Sequence, residues 1–248
     1  MHTITSLTAQ IKQLGITDTD TITIHISLKA VGEIDTAEMT GAEAVIESLR
    51  RAVSNGLLLI PSHTYENIRT VPEYNVRTSV PCIGAVPRVA VEYANKAYDS
   101  GDRTIIRSLH PDHSVVAFGK TAYEYTDGDR YVRSAMAEGG CYRKLLDANA
   151  KILLIGVGLT RCTYIHSIDE YMEGGNISPL TYIKVTDYDG NTEVREARTT
   201  RGSSSKYGKY LPTLEEAGAL TYGRFGDAEV MVCDVKKMTE AICRVWGK

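Results

Sequence analysis

At 248 residues the chain is long enough to bury roughly three quarters of its unfolded surface, as one large domain or two small ones. Its 43% hydrophobic and 24% charged residues are those of a soluble globular protein. A net charge of −3 argues against a nucleic-acid binder, and no run of ~18 apolar residues suits a membrane span. Five cysteines form no C-x-x-C pair and leave one over, and the first ten residues lack the basic start and apolar core of a signal peptide. A cytoplasmic protein with reduced thiols is the simplest expectation.

Residues 3–14 suggest a short amphipathic helix closed by Gly15. Thr21 to Ser27 alternates, with Ile22, Ile24 and Ile26 on one face, and reads as a strand. Thr40-Gly-Ala-Glu43 is a capping box ahead of an amphipathic helix, and Gly56 to Pro61 is a short buried strand. That order suggests parallel pairing through a right-handed crossover. Residues 62–83 read as an irregular binding loop, followed by a helix from about Gly84 to Tyr98. Strands follow at Ser114–Phe118 and 152–157, with a helical segment around Arg143 to Ala148 between them. Asp189-Gly190 joins two further strands, Thr181–Thr186 and Asn191–Arg198, as a hairpin. Gly202 to Ser205 reads as a flexible loop, and residues 230–245 as one strand and a helix. With no repeat and no long linker, residues 1–248 are expected to form a single α/β domain with a central mixed sheet flanked by helices.

The densest chemistry lies in Cys162-Thr-Tyr-Ile-His166-Ser-Ile-Asp169-Glu170, just after the strand and glycine turn of Lys151 to Gly158. On a helix, Asp169 and Glu170 fall at i+3 and i+4 from His166, where a carboxylate can orient an imidazole as a general base. The same pattern would also suit a helix-surface ion pair. Gly156-Val-Gly158 lacks the third glycine of a dinucleotide fingerprint, and neither a Walker lysine nor a G-x-S-x-G elbow occurs. These glycines are expected to let a ligand or another chain segment approach the backbone.

Ser108-Leu-His110-Pro-Asp-His113-Ser114 places two histidines around a proline turn, without the i, i+4 spacing of helical zinc ligands. His110 reads either as a site residue or as a turn residue held by backbone hydrogen bonds. Cys162 precedes His166 by four positions, so a cysteine nucleophile competes with a buried structural thiol. Arg195, Arg198, Arg201, Lys206 and Lys209 form a locally basic stretch, either a solvated loop or a phosphate anchor.

Taken together, several segments resemble the aminoglycoside 3-N-acetyltransferase family, which is coenzyme A-dependent and distinct in fold from the common GNAT acetyltransferases. They are His25 to Gly32, the Thr40 helix, Gly56 to Pro61, Arg107 to Ser114 with Ala117-Phe-Gly119, Lys151 to Gly158, and Thr163 to Asp169. Their order and spacing hold across roughly residues 4–185. Two departures stand out. The family's T-x-x-H-x-x-E motif ends here in Asp169, with Glu170 beside it. The 62–83 loop is short, and the segment after the hairpin is basic where a polycation would favour carboxylates.

The resemblance implies acetyl transfer from acetyl-CoA to a small amine, with the 3-amino group of an aminoglycoside as the leading acceptor and antibiotic resistance as the associated property. His166 would act as base, oriented by Asp169 or Glu170, and the Thr163 hydroxyl or a nearby backbone N–H would meet the oxyanion. Ser27, Leu28, Lys29 and Gly32, with Arg107, Ser108, His110 and Ser114, would hold coenzyme A. Tyr65, Glu66, Asp169 and Glu170 are the candidates for binding the amine. No metal, nucleic acid or membrane is expected, and the protein would be a monomer or homodimer. The alternatives are an N-acetyltransferase for a less cationic amine, and a metal- or cysteine-dependent hydrolase.

Overall fold

A computed structural model describes residues 1–36, 38–172, 180–198 and 203–247, and within it hydrophobic periodicity divides the strands between two cores. Helix α1 (Ile4–Gln13) starts in a capping box between Thr3 and Ser6, and Leu14 with Gly15 (φ 79°) ends it. Strand β1 (Thr21–Ile26) runs to a one-turn 3-10 helix, Leu28–Val31. Helix α2 (Gly41–Ala52) begins at the Thr40–Glu43 capping box. Strand β2 (Leu57–Pro61) is buried along its whole length and lies parallel to β1.

Residues 62–83 are more ordered than the sequence suggests. They hold α3 (Tyr65–Thr70) and β3 (Glu73–Asn75), because β3 joins a second sheet that no local periodicity announces, with Tyr74 and Val76 buried. Next come α4 (Ala85–Asp99), β4 (Ile105–Arg107), β5 (Val115–Phe118), α5 (Ala122–Asp127) and α6 (Lys144–Asp147). β6 (Lys151–Ile155) then leads into α7 (Ile165–Met172). β7 (Leu180–Thr186) and β8 (Thr192–Arg198) form the expected hairpin, with Gly190 at φ 85° in the turn. Ser204–Tyr210 is 3-10 helical, so Ser204 and Ser205 of the expected flexible loop stand in a helical turn; Gly202 lies outside the described residues. α8 (Leu211–Glu216), β9 (Leu220–Phe225), β10 (Ala228–Asp234) and α9 (Val235–Val245) complete the fold. The sequence reading missed β9, whose Gly223 and Arg224 blur the alternation, and the three-residue β4.

The central sheet has the order β4-β5-β2-β1-β6-β10-β9. β1 is parallel to β2 and β6, while the outer pairs are antiparallel, so the expected mixed sheet flanked by helices is the observed one. Ile22, Ile24, Leu58, Ile60, Leu153 and Ile155 pack toward α1, α2 and α4. Leu57, Leu59, Ile152 and Leu154 point the other way, toward α7, α9 and the sheet β3-β7-β8. Each such side chain contributes about 1.5–3 kcal/mol on full burial. Among the described residues, no helix is long and apolar enough to cross a membrane.

Candidate active site

The carboxyl ends of the parallel strands β1, β2 and β6 face one edge of the sheet, the usual place for a ligand crevice in an open α/β sheet. β5 is antiparallel to β2, with Val115 opposite Pro61, so the turn that precedes β5 reaches the same edge. Four segments therefore converge: 27–29 after β1, 62–66 after β2, 112–114 before β5 and 156–163 after β6. Between them lies a cleft of about 970 Å³, with His25, His63, His113 and His166 all on its wall. That volume is near the top of the ~300–1,000 Å³ range of small-molecule sites.

The imidazoles are held by different partners. His166 Nδ1 lies 2.6 Å from the Tyr207 hydroxyl, which also lies 2.8 Å from Asp169 Oδ2. Lys206 Nζ is 3.7 Å from the same carboxylate oxygen. Burial, with smaller contributions from His113 and Lys206, pushes His166 down to about 3, so the ring is neutral at physiological pH. His25 accepts a hydrogen bond from the Thr163 backbone N–H at 3.3 Å, and burial pushes it down to about 4. His63 is hydrogen-bonded to the Tyr142 hydroxyl and His113 to Asp112. Tyr65 stacks on His113 with ring centroids 5.4 Å apart.

Seven of the residues singled out in the sequence line the cleft: Ser27, Leu28, Lys29, Tyr65, Glu66, Thr163 and His166. Asp169 stands behind His166. Glu170 turns elsewhere, accepting a hydrogen bond from Ser134 Oγ at 2.8 Å, and burial raises its carboxyl. Of the two carboxylates left open by the sequence, Asp169 is the one connected to the histidine.

The Arg107–Ser114 element does not face the cleft as expected for a coenzyme A holder; it is the buried frame beneath the wall. Arg107, 1% exposed, donates to the carbonyls of Ser62 (2.9 Å), Val76 (3.1 Å) and Ser79 (2.7 Å). Ser114 Oγ donates to the Ser62 carbonyl, and Ser108 Oγ accepts from the Val115 N–H. His110 Nδ1 accepts from the backbone N–H groups of Asp112 and His113, the turn-residue reading. These residues spend their polar groups on the backbone, and His113 is what they present. Gly32 also points away: at φ 82°, a Cβ there would sit 2.0 Å from Asp227 Oδ2. Gly156 (φ 64°) likewise admits chain rather than ligand, with Ala30 2.5 Å from where its Cβ would be.

The sequence reading missed Tyr207 and two cations on the wall, Arg69 and Arg161. A tyrosine set between Lys206 and Lys209 was the available signal, since a purely solvated basic loop has no use for a buried aromatic ring. Within that basic stretch, Arg195 pairs with Glu193, and Lys209 lies over the Tyr210 ring. Arg201 lies outside the described residues. Cys162 is fully buried, and desolvation pushes its thiol up to about 12. Among the described residues, no three His, Cys, Asp or Glu side chains are grouped to hold a metal ion.

The family model described as aminoglycoside 3-N-acetyltransferase matches residues 23–246. Aminoglycoside N(3)-acetyltransferase III of Serratia marcescens is 29% identical over 200 residues, covering 73% of this chain and 69% of that protein. Among solved structures, the YokD protein of Bacillus subtilis superposes with a TM-score of 0.78 at 20% identity, covering both chains in full. AAC-IIIb in its binary complex with CoASH gives a TM-score of 0.75 at 22% identity, covering 98% of this chain and 96% of that one. The chain belongs to the aminoglycoside 3-N-acetyltransferase family of acyltransferases.

Proposed function

We propose that this chain transfers the acetyl group of acetyl-CoA to an amine, with the 3-amino group of an aminoglycoside as the leading acceptor. The observation that carries the reading is His166, neutral and on the wall of the cleft, with Nδ1 already engaged and Nε2 left to act. The family model and the relatives' names supply the substrate classes. The amine nitrogen attacks the thioester carbonyl, and His166 Nε2 takes the nitrogen's proton. As the tetrahedral state collapses, the C–S bond breaks and its electron pair leaves on the coenzyme A sulfur. Thr163 stands next to this site, but its backbone N–H is committed to His25, which leaves its hydroxyl as the donor for the oxyanion.

Lys29, Arg69 and Arg161 on the wall suit the phosphates of coenzyme A, and Ser27 and Leu28 suit its pantetheine arm. Tyr65 and Glu66 are left for the amine. The charge balance of the wall favours a second reading of the acceptor: Glu66 is the one carboxylate among its described residues, against three cations. A less cationic amine fits that balance as well as an aminoglycoside does. A cysteine-dependent hydrolase loses support from the buried, protonated Cys162. The chain is read as one domain, acting in the cytoplasm as a monomer or homodimer.

Release of free thiol from acetyl-CoA, followed over a panel of gentamicin- and neomycin-type compounds and simpler amines, tests both readings. Turnover on the antibiotics supports the leading acceptor, and turnover confined to mono- or diamines supports the second. His166→Ala should lower kcat by ~10²–10⁴-fold, the usual share of a general base. Full activity in that variant would overturn the reading.

A further inference from the structure

His166 and Asp169 lie one helical turn apart on α7, yet no hydrogen bond joins the imidazole to either neighbouring carboxylate. The aspartate is one methylene shorter than the glutamate of the family motif, and a hydroxyl fills the gap. We infer that Tyr207 is a positioning residue for the base: interposed between His166 Nδ1 and Asp169 Oδ2, it fixes the imidazole tautomer and takes over the reach of the longer carboxylate. This inference rests on the reading of His166 as the base.

The tautomer follows from counting protons. A carboxylate can only accept, and a phenol has one proton. Tyr207 therefore donates to Asp169 Oδ2 at 2.8 Å, which leaves its oxygen to accept from His166 Nδ1–H at 2.6 Å. The remaining ring nitrogen, Nε2, then carries the lone pair that a base needs. Two further observations support the arrangement. Lys206 Nζ lies 3.7 Å from Asp169 Oδ2, an ion pair on the same oxygen that accepts the phenol's hydrogen bond. Burial and the neighbouring Asp169 raise the Tyr207 hydroxyl well above its ordinary range, so it stays protonated. The Tyr207 ring is itself fully buried, edge-on to the imidazole at 5.0 Å between centroids, and it leaves His166 little freedom to rotate.

During transfer, Nε2 gains the amine's proton and Nδ1 keeps its own. The Nδ1–H···O–H···carboxylate chain then stabilises the imidazolium, and neither Tyr207 nor Asp169 gains or loses a proton. The other groups facing His166 are Lys206 beside Tyr207, His113 and Asp112 from the turn ahead of β5, and His63 from the end of β2. Within this set, Tyr207 supplies the hydrogen bond to Nδ1.

Protein labelled with ¹⁵N in histidine reports the tautomer directly, with no acceptor needed. In the wild type near neutral pH, His166 should carry its proton on Nδ1; a dominant Nε2–H form would overturn the inference whether or not any variant folds. Tyr207→Phe should mix the tautomers and lower kcat by ~10–10²-fold, part of what a general base supplies. The KM for acetyl-CoA should stay within about threefold, since no binding contact is removed. The imidazolium loses the acceptor of its Nδ1–H, so the acid limb of kcat/KM should move to lower pH. Adding Asp169→Glu to that variant should restore at least about tenfold in kcat by letting the longer carboxylate reach Nδ1, a rescue that a purely structural role would not give. Loss of activity in His166→Ala with unchanged kcat and tautomer in Tyr207→Phe would remove Tyr207's role and leave the base reading intact.

Discussion

The histidines of this cleft differ by what each ring nitrogen meets. His25 accepts from a backbone amide, His63 and His166 meet tyrosine hydroxyls, and His113 meets a carboxylate. Cys162 sits close by, yet it is fully buried, and its thiol is pushed up to about 12. Thiolates react and thiols hardly do, so this cysteine belongs to the core. Cys162→Ala should therefore keep kcat within about twofold while losing ~1 kcal/mol or more of stability to the lost packing. Loss of turnover in a folded Cys162→Ala protein would instead revive the nucleophile. At this scale the sequence was informative about placement wherever the residues are neighbours along the chain: Thr163 and His166 line the cleft and Asp169 stands behind His166. Tyr207 was hidden because it meets His166 from 41 residues away, and only the packing of its 3-10 segment against α7 brings the two together. Arg107 misled for the opposite reason: a charged residue in a motif suggests a ligand, but here burial turns it into a clamp on three backbone carbonyls.

Among the elements, the parallel trio was legible, β1 from its alternation and β2 and β6 from their unbroken apolar runs, and the hairpin from Asp189-Gly190. β3, β4 and β9 were not, since three-residue strands and glycine-interrupted strands are stabilised by their partners rather than by their own pattern. The junction of β6 with the turn after β1 is where an element boundary shapes the site. Gly156 has a φ of 64°, and a Cβ there would lie 2.5 Å from Ala30 Cβ and 3.5 Å from Ser27 Cβ. Gly156→Ala should cost ~1–3 kcal/mol through the strained backbone and the contact with Ala30. It should also raise the KM for acetyl-CoA, because the segment it displaces holds Ser27 to Lys29. Gly158→Ala is the control: its φ is −107° and its Cβ would meet nothing within 4 Å, so it should cost under about 1 kcal/mol. Urea denaturation of the two variants decides the matter, and equal costs would mean that the Gly156 turn is not the constraint described.

Over the whole molecule, burying several neutral imidazoles makes stability a function of pH. Burial holds His25 down to about 4 and His166 to about 3, and it also lowers His63 and His110. In the unfolded chain all four return to about 6.5. Between that value and their folded values the unfolded state binds more protons, so stability rises with pH through this window. The contribution is complete above about pH 6.5 and is lost as pH falls toward 4, at up to ~1.4 kcal/mol per pH unit for each histidine. Asp20, Glu43 and Asp102, held low by hydrogen bonds, act in the same direction at lower pH, and the raised Glu170 acts against them. The melting temperature should therefore fall steeply from pH 6.5 to pH 4.5 while changing little from pH 7 to pH 8. His110→Asn isolates one contributor, because an amide oxygen can accept the two backbone N–H bonds now taken by Nδ1 without binding a proton. That variant should show a shallower acid slope, by up to ~1.4 kcal/mol per pH unit. A wild-type stability that stays flat down to pH 5 would mean that the histidines titrate in the fold as they do in the unfolded chain, and the effect of burial described here would fail.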